Sequence, residues 1–158
     1  MLSVMEIIIA LKQVSLFANI HGEGLKRISD VVREKHVATD ELVFGERDLG
    51  EEMYLVYEGK IQIYQELAGK QIALELVEPG GYFGEMAIID EQPRSASARA
   101  EREVTLLVLH RDDFRNSVQD YPDIAFAVFK EFSRRLRRAD TRIRALAEEL
   151  RRAQIETP

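Results

Sequence analysis

The sequence predicts a mainly β protein, an antiparallel sandwich or barrel flanked by helices, with one long helix at its C-terminal end. Three observations predict it. Between residues 53 and 76, apolar side chains recur every second position in short runs separated by glycine-bearing turns, which is strand periodicity. At both ends of the chain they recur every three or four positions, which is helix periodicity. From Phe129 onward that spacing persists through more than three heptads, too long for a helix that packs only on its own domain.

The N-terminal stretch 2–18 reads as a helix, with Leu2, Met5, Ile8 or Ile9, Leu11 or Lys12, and Leu16 near one face. Glu6 and Lys12 interrupt its apolar run, so it neither spans a membrane nor resembles a leader peptide. Gly22 and Gly24 break the chain before a short helix over 23–33, with Leu25, Ile28 and Val31 or Val32 together. Strands follow at 53–57, at Ile61 and Ile63, and, after the Leu67-Ala68-Gly69-Lys70 connection, at Ile72, Leu74 and Leu76. Two more strands are read at 96–101 and 104–109.

Helical period returns at Arg111, where Asp112 and Asp113 suit a first turn by complementing the helix dipole. Pro122 stands near the start of the last helix. There Phe129, Phe132, Leu136, Ala139, Ile143, Leu146, Leu150 and Ala153 alternate by three and four. Residues 1–121 are thus read as N-terminal helices and β domain, and 122–158 as a lid and dimer seam within that domain. The later part of the seam has nothing left in the chain to cover it, so the expected partner is a second copy of the same helix.

The chain carries 22 basic and 28 acidic side chains, a net charge of −6, and no cysteine. Disulfides, thiol catalysis and cysteine-held metals are therefore excluded, and a cytoplasmic setting fits. Residues 130–152 hold nine basic and four acidic side chains, a balance of +5, which leaves −11 for the rest. A basic helix on an acidic body raises nucleic acid as a partner. The seam, however, spreads Arg134, Arg135, Arg137, Arg138, Arg142 and Arg144 over its other sides, so no useful affinity for duplex DNA is expected. His21, His36 and His110 are scattered, and the pairs Glu51-Glu52 and Asp112-Asp113 are adjacent and so diverge on regular structure. No catalytic residue and no metal ligand is assigned, and the chain is not read as an enzyme.

One stretch carries specific chemistry: Phe83-Gly84-Glu85-Met86-Ala87-Ile88-Ile89-Asp90-Glu91-Gln92-Pro93-Arg94-Ser95-Ala96-Ser97-Ala98-Arg99-Ala100, after a Pro79-Gly80-Gly81 turn. A short helix opening at Gly84 leaves its first amides unpaired and favours negative charge there. The glycine allows close approach of a ligand. Arg94, fixed by Pro93, can offer a two-pronged donor to a phosphate, and Ser95 adds a hydroxyl. Glu85 would repel phosphate and is better suited to accept from a neighbouring sugar hydroxyl. The pattern asks for a nucleotide with an anionic end and a hydroxyl beside it.

This run closely resembles the phosphate-binding cassette of cyclic-nucleotide-binding domains, the family of bacterial catabolite activators, kinase A regulatory subunits and cyclic-nucleotide-gated channels. The segment 42–60 adds to the likeness, with Arg47-Asp48-Leu49-Gly50 departing slightly from the family's glycine-aspartate turn. The resemblance covers about residues 12–150. It implies an eight-stranded jelly-roll (a double-stranded β-helix) with one ligand site made by Phe83, Gly84, Glu85, Met86, Ala87, Arg94, Ser95 and Ala96. By that resemblance Glu85 takes the ribose 2′-hydroxyl, Arg94 and Ser95 take the cyclic phosphate, and amides around Gly84, Met86, Ala87 and Ala96 complete the cradle.

The base would lie between a wall holding Ile63 and Leu74 and the long helix. There the family's hydroxyl positions correspond to Ala139 and Asp140, with Thr141 adjacent. The implied ligand is cyclic AMP, with cyclic GMP the alternative, and no catalytic cofactor is implied. The expected function is a homodimeric sensor that signals by moving its last helix. The alternatives are the sensor portion of a transcription regulator, since 151–158 are too few for a helix-turn-helix, and a ligand-free dimerisation domain.

Overall fold

The computed structural model of the chain describes residues 1–155; the last three positions of the 122–158 segment lie outside them. α1 (Val4–Gln13) starts at a capping box in which the Ser3 hydroxyl accepts from the Glu6 amide and the Glu6 carboxylate accepts from the Ser3 amide at 2.7 Å. It is shorter than the 2–18 expected. Val14 turns extended, and residues 14–19 form turns that bury Val14, Leu16 and Phe17. Met5 and Ile9 face solvent, so the core contact is made by Leu11 with Ile7 and Ile8 beside it. α2 (Gly22–Val31) starts at the first glycine and buries Leu25 and Ile28.

Eight strands form two antiparallel four-stranded sheets. One contains β1 (Arg33–Val37), β8 (Val104–His110), β3 (Glu52–Glu58) and β6 (Tyr82–Phe83), in that order. The other contains β2 (Leu42–Phe44), β7 (Ser97–Ala100), β4 (Ile61–Leu67) and β5 (Lys70–Val77). The expected antiparallel roll is therefore the one observed. β1, β2 and β6 were not foreseen: Arg33-Glu34-Lys35-His36-Val37 offers one apolar residue, and the other two are only three and two residues long.

Two cores explain why β3 and β8 read as continuous apolar runs. Tyr54 and Val56 with Leu106 and Val108 point between the sheets, where they meet Ile61, Val77, Phe83 and Ala98. Met53 and Leu55 with Leu107 and Leu109 point the other way, into a layer formed by α1, α2 and the start of the last helix. A strand covered on both faces loses its polar alternation.

α3 (Glu85–Asp90) connects β6 to β7. α4 (Arg111–Asp120) is capped by the His110 ring, which accepts from the Asp112 amide, and carries Asp112 and Asp113 in its first turn. α5 (Asp123–Ile155) has 33 residues and is about 50 Å long at 1.5 Å per residue. Its start buries Ile124, Ala127, Val128 and Glu131; every residue from Ser133 to Ile155 is exposed.

Candidate functional site

The cassette is local backbone chemistry before it is a site. Gly84 caps α3 at φ +76°, a left-handed conformation, and a Cβ there would lie 2.7 Å from the nearer Arg94 guanidinium nitrogen and 3.3 Å from the Glu52 carbonyl. Gly50 meets the other side of the same guanidinium, where a Cβ would come within 2.2 Å of Nε. Two glycines thus make the slot in which Arg94 is held. Its backbone is zipped to the β2–β3 loop: the Arg94 amide donates to Asp48 and the Arg47 amide donates to Arg94, both at 2.8 Å.

A cavity of about 430 Å³ opens beside this slot, within the range of roughly 300–1,000 Å³ usual for small-molecule sites. All of the expected cassette residues, Phe83 to Ala87 and Arg94 to Ala96, line it. Phe83, one of the lining residues, is stacked on Tyr54 at 5.1 Å and tilted against Phe44 at 5.8 Å.

Arg94 is only 6% exposed, and its donors are turned to the protein. Nη1 donates to the Gly84 carbonyl at 2.9 Å and Nη2 to the Glu52 carbonyl at 2.7 Å, with the guanidinium 4.1 Å from the centre of the Phe44 ring. Nε is buried without a partner. Burial pushes the Arg94 guanidinium below its usual range, and the neighbouring Arg111 charge adds to this. It is thus a cation whose donors are shared with two backbone carbonyls, short of a carboxylate partner. Both features favour an anion brought to it.

Glu85 is also 6% exposed and is paired at 2.5 Å with Arg135, fifty residues on and on α5. Arg135 also donates to the Tyr82 hydroxyl at 3.2 Å and lies 5.4 Å from the ring centre. Burial would lower the Arg135 guanidinium, but its bond to Glu85 and that carboxylate's charge outweigh it and hold the group above its usual range. Burial likewise raises the Tyr82 hydroxyl. A second tie holds α5 one turn earlier. Buried Glu131 accepts from the Ser15 hydroxyl at 2.8 Å and from Arg134 at 2.7 Å, and the Arg134 bond, with help from Ser15, keeps its carboxyl below the usual range against the cost of burial.

The base-side candidates fare unequally. Ile63 lines the cavity. Leu74 does not: the pairing of β4 with β5 runs Ile63 to Glu75 and then Tyr64 to Ala73, so a bulge leaves Leu74 unpaired and 51% exposed. Glu75 lines the cavity instead. Asp140 and Thr141 lie on the exposed part of α5, away from the cavity wall; the Thr141 hydroxyl donates to the Arg137 carbonyl at 2.9 Å. Arg135, the residue of α5 that does reach the cavity, was not singled out from the sequence. Among the other arginines of that helix no spacing marks it. Among the described residues there is no group of three His, Cys, Asp or Glu able to hold a metal ion, and no helix long and apolar enough to cross a membrane.

The model of the cyclic nucleotide-binding domain matches residues 34–121, more than half of the chain. The chain belongs to the cyclic nucleotide-binding domain family. Within it, the chain is 38% identical over 114 residues to the cyclic AMP receptor protein of Thermus thermophilus, covering 72% of this chain and 53% of that protein. The N-terminal domain of a transcriptional regulator from Streptomyces coelicolor superposes with a TM-score of 0.75 at 30% identity, covering 85% of this chain and 94% of that one. The regulatory domain of Toxoplasma gondii protein kinase A, crystallised with cAMP, gives 0.70 at 27% identity, covering 74% and 45%. The chain spans about half the length of the curated bacterial relatives it matches. The matched segment takes in the cassette, since residues 34–121 contain β2 to β8, β1 apart from Arg33, α3 and Arg94.

Proposed function

We propose that this chain is a cyclic-nucleotide sensor that binds cyclic AMP in the 430 Å³ cavity and reports its occupancy through α5, without chemistry on the ligand. One observation carries the reading: a glycine-slotted cassette arginine and a residue of α5, Arg135, face the same cavity, and Arg135 is bonded to Glu85 of the same cassette. The cyclic phosphate takes the Ser95 hydroxyl, amides of the α3 start and Ala96, and the Arg94 guanidinium, which gives up a carbonyl partner for a full anion. Glu85 accepts the ribose 2′-hydroxyl while keeping Arg135, so the sugar completes a network that already reaches α5. The likeness to the Thermus cyclic AMP receptor protein and to the Toxoplasma regulatory domain crystallised with cAMP supports adenine as the base.

The exposed face of α5 supports homodimerisation. Phe129, Leu136, Ile143, Leu146 and Leu150 are exposed in seam register, and a second α5 alongside would cover them. In such a dimer, Asp140 and Thr141 meet a base either by movement of their own helix or from the partner's.

Equilibrium binding of the purified chain to cyclic AMP and cyclic GMP tests the function. Saturable cyclic AMP binding that Arg94→Ala weakens is the expected result. No binding of either nucleotide would leave the dimerisation-domain alternative.

A further inference from the structure

The seam of α5 has a register, and the register says which charges flank it. Phe129, Leu136, Ile143 and Leu150 recur at intervals of seven, and so do Phe132, Ala139, Leu146 and Ala153, three positions later. In a heptad lettered a to g, the first series is a and the second is d. Arg134, Arg137, Arg138 and Arg144 then fall at the outer positions b, c and f. Arg135 and Arg142 fall at g, beside the seam, and Asp140 falls at e, on its other side.

Both Arg135 and Asp140 have bonding capacity to spare. Nη1 of Arg135 donates to Glu85 and to the Tyr82 hydroxyl, while Nη2 and Nε have no partner among the described residues, and the side chain is 45% exposed. Asp140 is the one acid between Glu131 and Glu148. It is exposed, and among the described residues its carboxylate has no hydrogen-bond or ion-pair partner, although Arg137 and Arg144 are three and four positions away.

We propose that the seam takes a second α5, parallel and in register, and that Arg135 of each protomer bonds the partner's Asp140 with the donors that Glu85 leaves free. The inference rests on the homodimer reading above and adds to it a cavity residue held from both chains. In a parallel, in-register pair, the g residue of one heptad lies beside the e residue of the next heptad on the other helix. From Arg135 that residue is the partner's Asp140, and two-fold symmetry makes the contact twice. Arg142 would meet only the partner's Ala147, so Arg135 is the seam-flanking arginine with a charge to answer it. An antiparallel pair sets g against g, where Arg135 and Arg142 are like charges, and e against e, where Asp140 finds no base. Charge therefore selects the parallel arrangement. Arg135 lines the cavity, so one wall residue of each site is then ordered partly by the other chain.

The test is a charge exchange between protomers, read by sedimentation equilibrium. Asp140→Lys sets two bases against each other at both contacts, and Arg135→Glu sets two acids there. Each variant alone is expected to self-associate about tenfold or more weakly than wild type. Mixed, they should form heterodimers of about wild-type strength, because that pair carries one native and one reversed contact. A dimeric wild type whose two variants gain nothing on mixing overturns the pairing and leaves the dimer standing. Since the chain has no cysteine, Leu136→Cys and Leu150→Cys, made separately and oxidised with diamide, read the orientation. A parallel, in-register pair cross-links at both positions, whereas an antiparallel one brings at most one of them against its own copy. Cross-linking at only one position, or at neither, overturns the proposed arrangement. A monomeric wild type overturns the dimer reading with it. Arg135 and Asp140 are both exposed, so unchanged melting of the roll separates a lost contact from a lost fold.

Discussion

The first third of α5 and the remainder are one unbroken helix with opposite surroundings. From Asp123 to Phe132 it lays Ile124, Ala127, Val128 and part of Phe132 into the layer beneath β3 and β8, with Glu131 bound to Ser15. From Ser133 to Ile155 every described residue is exposed, yet Leu136, Ile143, Leu146 and Leu150 continue the apolar spacing. Arg135 stands at the border and is the contact of α5 with the cavity. The difference teaches that the helix is anchored by its own domain at one end and carries an exposed apolar seam at the other. A ligand acting on Glu85 and Arg135 therefore acts where anchorage ends.

The largest test of this contrast is Ile124→Ala. Its side chain is fully buried at the anchored end, and its loss should destabilise the fold by about 2–5 kcal/mol in denaturant titration. A cost below about 1 kcal/mol would mean that the anchored end is not anchored.

Next comes the free end. Ile143→Lys with Leu146→Lys puts charge into the seam and should turn a dimer into monomers by light scattering while leaving the melting of the roll unchanged. A wild type that is already monomeric at high concentration would remove the seam from the account.

A smaller effect is expected at Glu131, the tie nearest the border. Its carboxyl is held below the ordinary value of 4.5, so its contribution is present above that value and is lost as pH falls through the lowered one. Glu131→Gln should cost roughly 1–3 kcal/mol at neutral pH, the worth of hydrogen bonds to a charged group, and should flatten the acid limb of the stability–pH curve. An acid limb as steep as in wild type would assign it to other carboxylates. The smallest effect is Leu150→Ala in the double-lysine background, expected to stay within about 0.5 kcal/mol as an exposed position does.

The cassette was legible in the sequence because it is made by neighbours: a glycine that must turn, a proline that fixes Arg94, and a hydroxyl beside it. The long helix was legible for the same reason, since its period repeats. Arg135 was not, because its meaning comes from Glu85 fifty residues away. Leu74 was placed on the cavity wall because alternation was extended through β5, and a bulge breaks alternation without any glycine to announce it. β1 escaped because an edge strand of Arg33-Glu34-Lys35-His36-Val37 needs only one buried side chain, and four polar residues leave no period to read.

The central claim is that occupancy of the cassette is felt by the unanchored part of α5. Amide hydrogen exchange in residues 136–150, with and without saturating cyclic AMP, tests it most directly, because exchange reports local opening free energy. Slower exchange there on binding, reduced when Arg135 is replaced by alanine, is the expected result. Identical exchange in the two states, with the nucleotide demonstrably bound, would contradict it and leave a passive binder.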